Sequence, residues 1–117
     1  MKLIYNNKKI EKECNDFSVA KKKYGIDIAK GLHKLINILE NAENLLDIYK
    51  LQSFRLHLLK GNRKDQYSLT ILKSSKLRLI VYPIDENNNI MRSLDDQNLM
   101  FIKCIIIKIM EVSEHYE

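Results

Sequence analysis

With 117 residues, 45% apolar and 30% charged, the chain can build one modest two-layer core but not two independent ones, and its composition is that of a globular protein, not a disordered chain. Its 20 Lys and Arg against 15 Asp and Glu leave a net charge of +5, which favours polyanionic partners without choosing between RNA, DNA and an acidic protein. No apolar stretch approaches the ~20 residues of a membrane-spanning helix, and Met1-Lys2-Leu3-Ile4-Tyr5 passes straight into Asn6-Asn7-Lys8-Lys9 without the apolar region of a secretory signal. A cytoplasmic protein with no membrane partner is therefore expected.

Lys2 to Tyr5 reads as a short strand stopped by two asparagines. From Lys8 the apolar positions Ile10, Cys14, Phe17 and Tyr24 follow helical spacing, interrupted by Asn15, Asp16 and Ser18, so one bent helix or two short ones are expected. Gly25 stops this segment, and Lys21, Lys22 and Lys23 suit a helix C-terminus, most simply as a solvated face. A stronger helix starts at Asp27. Its Ile28, Leu32, Leu35, Ile36 and Leu39 make one continuous apolar stripe, with His33 among the outward positions. Leu45 to Tyr49 reads as a third short helix.

The stretch Arg55 to Pro83 holds three candidate strands with turn residues between them, an antiparallel meander. Leu56 and Leu58 alternate with Arg55 and His57; Tyr67, Leu69 and Ile71 with Gln66, Ser68 and Thr70; Leu77, Leu79 and Val81 with Arg78, Ile80 and Tyr82. Side chains of a strand point to opposite faces with period two. One face thus collects the leucines, and the other collects Arg55, His57, Ser68, Arg78 and Tyr82. Helices covering one side would leave the second side open and polar, where Lys60 and Arg63 of the connecting loop can join Arg78 and His57 around one anion.

After Pro83 comes a polar insertion from Asp85 to Asn98, a candidate partner surface, and then an apolar strand from about Phe101 to Val112, long enough to lie inside the sheet. The chain ends in Glu114-His115-Tyr116-Glu117. Cys14 and Cys104 fall at apolar positions and are expected to be buried and reduced, and neither a metal site nor a cofactor is expected. Without a metal, the basic and imidazole groups suit cleavage of RNA by its own 2′-hydroxyl. That reaction needs a base, an acid and positive charge on the developing phosphorane. His57, His115 and Tyr116 can move protons, while Lys60, Arg63 and Arg78 can hold the phosphate. Tyr82 can stack on a base.

The order Arg55-x-His57-x-Leu59-Lys60-Gly61-x-Arg63-x-x-x-Tyr67-Ser68, then Leu77-Arg78-Leu79-Ile80, a late apolar strand and the terminal cluster resembles the RelE/ParE toxin superfamily. Within it the likeness is greatest to the HigB, or killer protein, branch of bacterial type II toxin-antitoxin systems. The likeness implies a single α+β domain over residues 1–117, with N-terminal helices on one face of an antiparallel, microbial-ribonuclease-like sheet. It also implies ribosome-dependent cleavage of messenger RNA and neutralisation by a HigA-like helix-turn-helix antitoxin, through which alone operator DNA would be contacted. Carried over residue by residue, Arg78, His57, His115 and Tyr116 are the catalytic candidates, and Lys60, Arg63 and Tyr82 contact RNA. HigB-like chains often end in an acidic-Tyr-His cluster, whereas Glu114-His115-Tyr116 reverses the last two. ParE-like relatives implied by the same resemblance inhibit DNA gyrase by binding alone.

Overall fold

The computed structural model describes residues 1–93 and 95–114. β1 (Lys2–Tyr5) leads to Asn7, whose Oδ1 accepts from Ile10 N at 3.0 Å and starts α1 (Lys8–Asn15). The backbone N–H of Asp16 closes α1 on the Lys12 carbonyl, and its carboxylate accepts from Ser18 N to open α2 (Phe17–Tyr24). The spacing between residues 8 and 24 is thus that of two short helices meeting at one capping residue. Gly25 then takes φ 90°, where an L side chain would be strained, and joins α2 to α3 (Ile26–Asn41). The expected stripe of α3 is buried throughout, from Ile28 to Leu39. α4 (Leu45–Tyr49) follows.

Among the described residues, β1, β2 (His57–Leu58), β3 (Tyr67–Thr70), β4 (Leu77–Ile84) and β5 (Ile106–Glu114) form one sheet in the order β1-β5-β4-β3-β2. β2 to β5 pair antiparallel, but β1 runs parallel to β5 with Lys2 opposite Ile106 and Tyr5 opposite Ile109. The fold is α+β, and its sheet is mixed instead of wholly antiparallel. A strand that leaves into helices and is rejoined only by the last strand is free of the hairpin geometry that forces antiparallel pairing. β5 lies between β1 and β4, an interior strand as its apolar run implied.

Helices cover one face. Leu32, Leu35 and Leu39 of α3 share a core with Leu69, Leu79, Val81, Ile107 and Ile109 of the sheet. Cys14 and Cys104 are buried in the same core as free thiols. Three expectations fail here. Phe101 belongs to α5 (Gln97–Lys103), not to a strand, because Asp96 Oδ1 caps the N–H groups of Asn98 and Leu99 and the Phe101 ring packs against Tyr49 and Tyr67. Leu58 is 47% exposed, since β2 is a two-residue edge strand beyond the helical cover, whereas Leu59, on the opposite face, is buried. His33 is half-buried, with its ring edge-on to Phe17 at 5.4 Å.

Candidate functional site

Residues paired across neighbouring strands project to the same side of a sheet, so the strand registers divide the second face into rows. His57 pairs with Ser68, Ser68 with Ile80, and Ile80 with Glu111; two residues along, Thr70 pairs with Arg78 and Arg78 with Ser113. The two rows stand about 7 Å apart. His57, Ser68 and Arg78 therefore lie together, as the alternation implied. The face is less open than expected, because Leu59, Ile80, Ile84 and Ile106 are buried outside the helix-covered core. Its polar side chains are gathered mainly in the two rows, with Tyr82 and Lys108 paired farther along β4 and β5.

Arg55 sits in the left-handed region with φ 46°, and its carbonyl accepts from His57 Nδ1 at 2.9 Å. A carbonyl can only accept, so Nδ1 carries a proton and, in the neutral ring, Nε2 keeps its lone pair. That Nε2 is buried with no hydrogen-bond partner among the described residues, and the same is true of Ser68 Oγ and Arg78 Nε. An unsatisfied buried polar atom costs ~1–3 kcal/mol, and native interiors hold few of them. Three neighbouring strands each supply one to this face.

Arg78 reaches back to its own turn, where Nη1 donates to the carbonyls of Ser75 at 2.6 Å and Leu77 at 3.0 Å. Arg63, from the loop between β2 and β3, crosses to β5. Its Nη1 donates to Gln66 Oε1 at 3.2 Å and meets Glu111 at 3.4 Å, and its Nη2 donates to Ser113 Oγ at 3.1 Å. Because Ser113 is the register partner of Arg78, Arg63 reaches the row of the sheet that holds Arg78. Lys60 is exposed at the start of the single helical turn Gly61–Arg63. Tyr82 is half-buried opposite Lys108, four residues and about 13 Å along β4 from Arg78, so it stands apart from the arginine pair. Arg55 contributes its carbonyl to the site. His115 and Tyr116 lie outside the described residues.

Glu111, Ser113 and Ser75 escaped the reading of the sequence. Glu111 and Ser113 alternate with Val112 on β5, a period-two signal that points them to the polar face. The partnership with Arg63 spans 50 residues and has no local trace. Lys23, expected on a solvated face, instead pairs with the buried Glu13 at 2.8 Å, and Tyr24 OH donates to the same carboxylate. Burial first, and then Glu13, hold the Tyr24 hydroxyl well above its ordinary pKa. Among the described residues, no cluster of three His, Cys, Asp or Glu could hold a metal ion, and no helix is long and apolar enough to cross a membrane.

No family model, no curated protein and no solved structure matches this chain. The likeness to the toxin superfamily accordingly stands on the residues that carry it.

Proposed function

We propose that this protein is a metal-independent endoribonuclease toxin of the RelE/ParE superfamily, most like the HigB branch. It acts in the cytoplasm, cuts messenger RNA on the ribosome and is neutralised by a HigA-like antitoxin. The observation that supports this reading most is the gathering of His57 Nε2, Ser68 Oγ and Arg78 Nε, all unpartnered among the described residues, on one face with Arg63 beside them.

In the proposed step a ribose 2′-oxygen attacks the adjacent phosphorus and its proton passes to His57 Nε2. The bond from phosphorus to the 5′-oxygen breaks, the 5′-oxygen takes a proton from the acid, and a 2′,3′-cyclic phosphate remains. A neutral imidazole with Nδ1 tied to a carbonyl is the required form of the base. Arg78 and Arg63 offset the charge that develops on the phosphorane. An ion pair as exposed as Arg63 with Glu111 is worth about 0–1 kcal/mol, so a phosphate competes for Arg63 readily. His115 and Tyr116, outside the described residues, are the remaining candidates for the acid. A ribosome that orients the messenger would supply what a shallow face lacks.

One observation favours a second reading. Arg78 Nη1 is already engaged by two carbonyls of its own turn, which suits a structural arginine and hence a ParE-like inhibitor that binds gyrase without cleaving RNA. Messenger cleavage on programmed ribosomes separates the two, using wild type, Arg78→Ala and His57→Ala with and without ribosomes. Cleavage by the wild type only on ribosomes, lost in both variants, is expected. Folded wild-type protein that arrests growth but cuts no message sinks the ribonuclease reading, and a gyrase supercoiling assay then tests the other.

A further inference from the structure

Leu99 and Ile102 on α5 and Ile105 just beyond it are 50%, 49% and 46% exposed, each three residues from the next. Single exposed apolar residues are ordinary, but a contiguous set bordering a groove marks an interaction surface. A cavity of about 340 Å³ lies here, with Met91, Leu99 and Met100 in its lining together with Asp95 and Asp96. A second of about 310 Å³ shares Met91 and Lys103 with the first and adds Ile84, Ile105, Asp85 and Glu86. The shared residues join the two cavities into one groove, in which Met91, Leu99, Met100, Ile84 and Ile105 form an apolar strip among charged side chains.

Its charge is opposite to that of the chain. Residues 85–103 carry Asp85, Glu86, Asp95 and Asp96 against Arg92 and Lys103, a net of −2 within a protein of net +5. Arg92 is also held by Asp65, with Nη2 at 2.9 Å and Nε at 3.0 Å from its carboxylate. A nucleic acid backbone is repelled by such a surface, whereas a cationic ligand with apolar anchors is attracted.

We propose that this groove docks an amphipathic helix of a partner protein. Two or three of its apolar side chains at i, i+3 and i+4 spacing enter the paired cavities, and its Lys or Arg residues meet Asp85, Glu86, Asp95 and Asp96. The apolar anchors carry the affinity, and the acids set the sign of the partner and its rate of association. The inference does not rest on the ribonuclease reading, since the groove and the polar rows of the sheet share no residue.

The probe is a synthetic amphipathic peptide of leucine and lysine, about 15 residues long so that it can hold a helix, titrated into the full chain with amide shifts followed by NMR. Shifts confined to residues 84–105, affinity reduced roughly tenfold or more in the Leu99→Ser/Ile105→Ser double variant, one residue from each cavity, and weakening with salt are expected. Both side chains are about half exposed, so this variant keeps the fold, and a circular dichroism melt checks it. Equal binding of a leucine–glutamate peptide, shifts that map elsewhere, or no binding would overturn the proposal. So would single-stranded RNA shifting the same amides. Concentration-dependent self-association abolished by the double variant would assign the groove to a second copy of this chain and overturn it as well.

Discussion

The two faces of the sheet are built from the same strands and differ in what satisfies them. On the helix-covered face Leu69, Leu79, Val81, Ile107 and Ile109 meet the stripe of α3, and no sheet side chain there holds an unpartnered buried polar atom among the described residues. On the other face the same strands present His57, Ser68 and Arg78, each with one such atom, and Arg63 ties the loop to β5. A side chain two positions away along a strand keeps the face, and one position away changes it. Leu79 and Arg78 are therefore neighbours with separate duties: the first face carries stability and the second carries the polar chemistry.

Leu79→Ala tests that division most strongly. It removes a fully buried side chain and is expected to cost about 2–5 kcal/mol. Arg78→Ala loses two carbonyl contacts and is expected to cost about 1–2 kcal/mol; on the proposed ribonuclease reading it also abolishes cleavage. Denaturant midpoints measure both, and equal destabilisation by the two would break the comparison.

Alkaline pH acts on the covered face next. Burial raises the Cys14 thiol to about 12 and the Cys104 thiol to about 11 from an ordinary 9.0. The unfolded chain ionises first, so stability is full below about pH 9 and falls as pH rises toward 11, by ~1.4 kcal/mol per pH unit for each thiol. Denaturation at pH 8 and pH 10 should show this loss, and Cys14→Ala should reduce the slope. A native thiol that reacts with a disulfide reagent at its unfolded rate near pH 8 would contradict it.

A smaller effect is expected from Gly31→Ala. The added Cβ would stand 2.7 Å from the Ile71 carbonyl oxygen, so α3 must lift from the end of β3, at about 1–3 kcal/mol. The smallest change belongs to the second face and has the opposite sign. Ser68→Ala removes a buried hydroxyl without a partner among the described residues and is expected to be neutral or stabilising by up to ~1 kcal/mol. A loss of more than that in a thermal melt would mean that the hydroxyl is satisfied and that the two faces are more alike than described.

Local pattern carried much of this structure. The helical spacing before Gly25, the stripe of α3, the helix at Leu45 and the alternation along β3 and β4 are all legible because periods of 3.6 and 2 are properties of neighbouring residues. The same alternation brought His57, Ser68 and Arg78 to one face. The strand expected from about Phe101 takes in the last turn of α5, although Asp96, a capping residue, stands directly before Gln97. The run from Phe101 to Ile109 satisfies either period, and only the docking of Phe101 against Tyr49 and Tyr67 selects the helix.

Local pattern therefore reaches most of the elements, the apolar face of each, and the basic and imidazole groups available to the second face. The tertiary structure alone decided the parallel pairing of β1 with β5, the burial of Leu59 and Ile80 on a face expected to be open, and the engagement of Arg63 with Glu111 and Ser113. It also joined Met91 to α5 and so made the acidic groove. The reason is physical: periodicity records which side of an element is apolar, whereas contacts between distant parts of the chain depend on how the elements pack, and no local pattern encodes that.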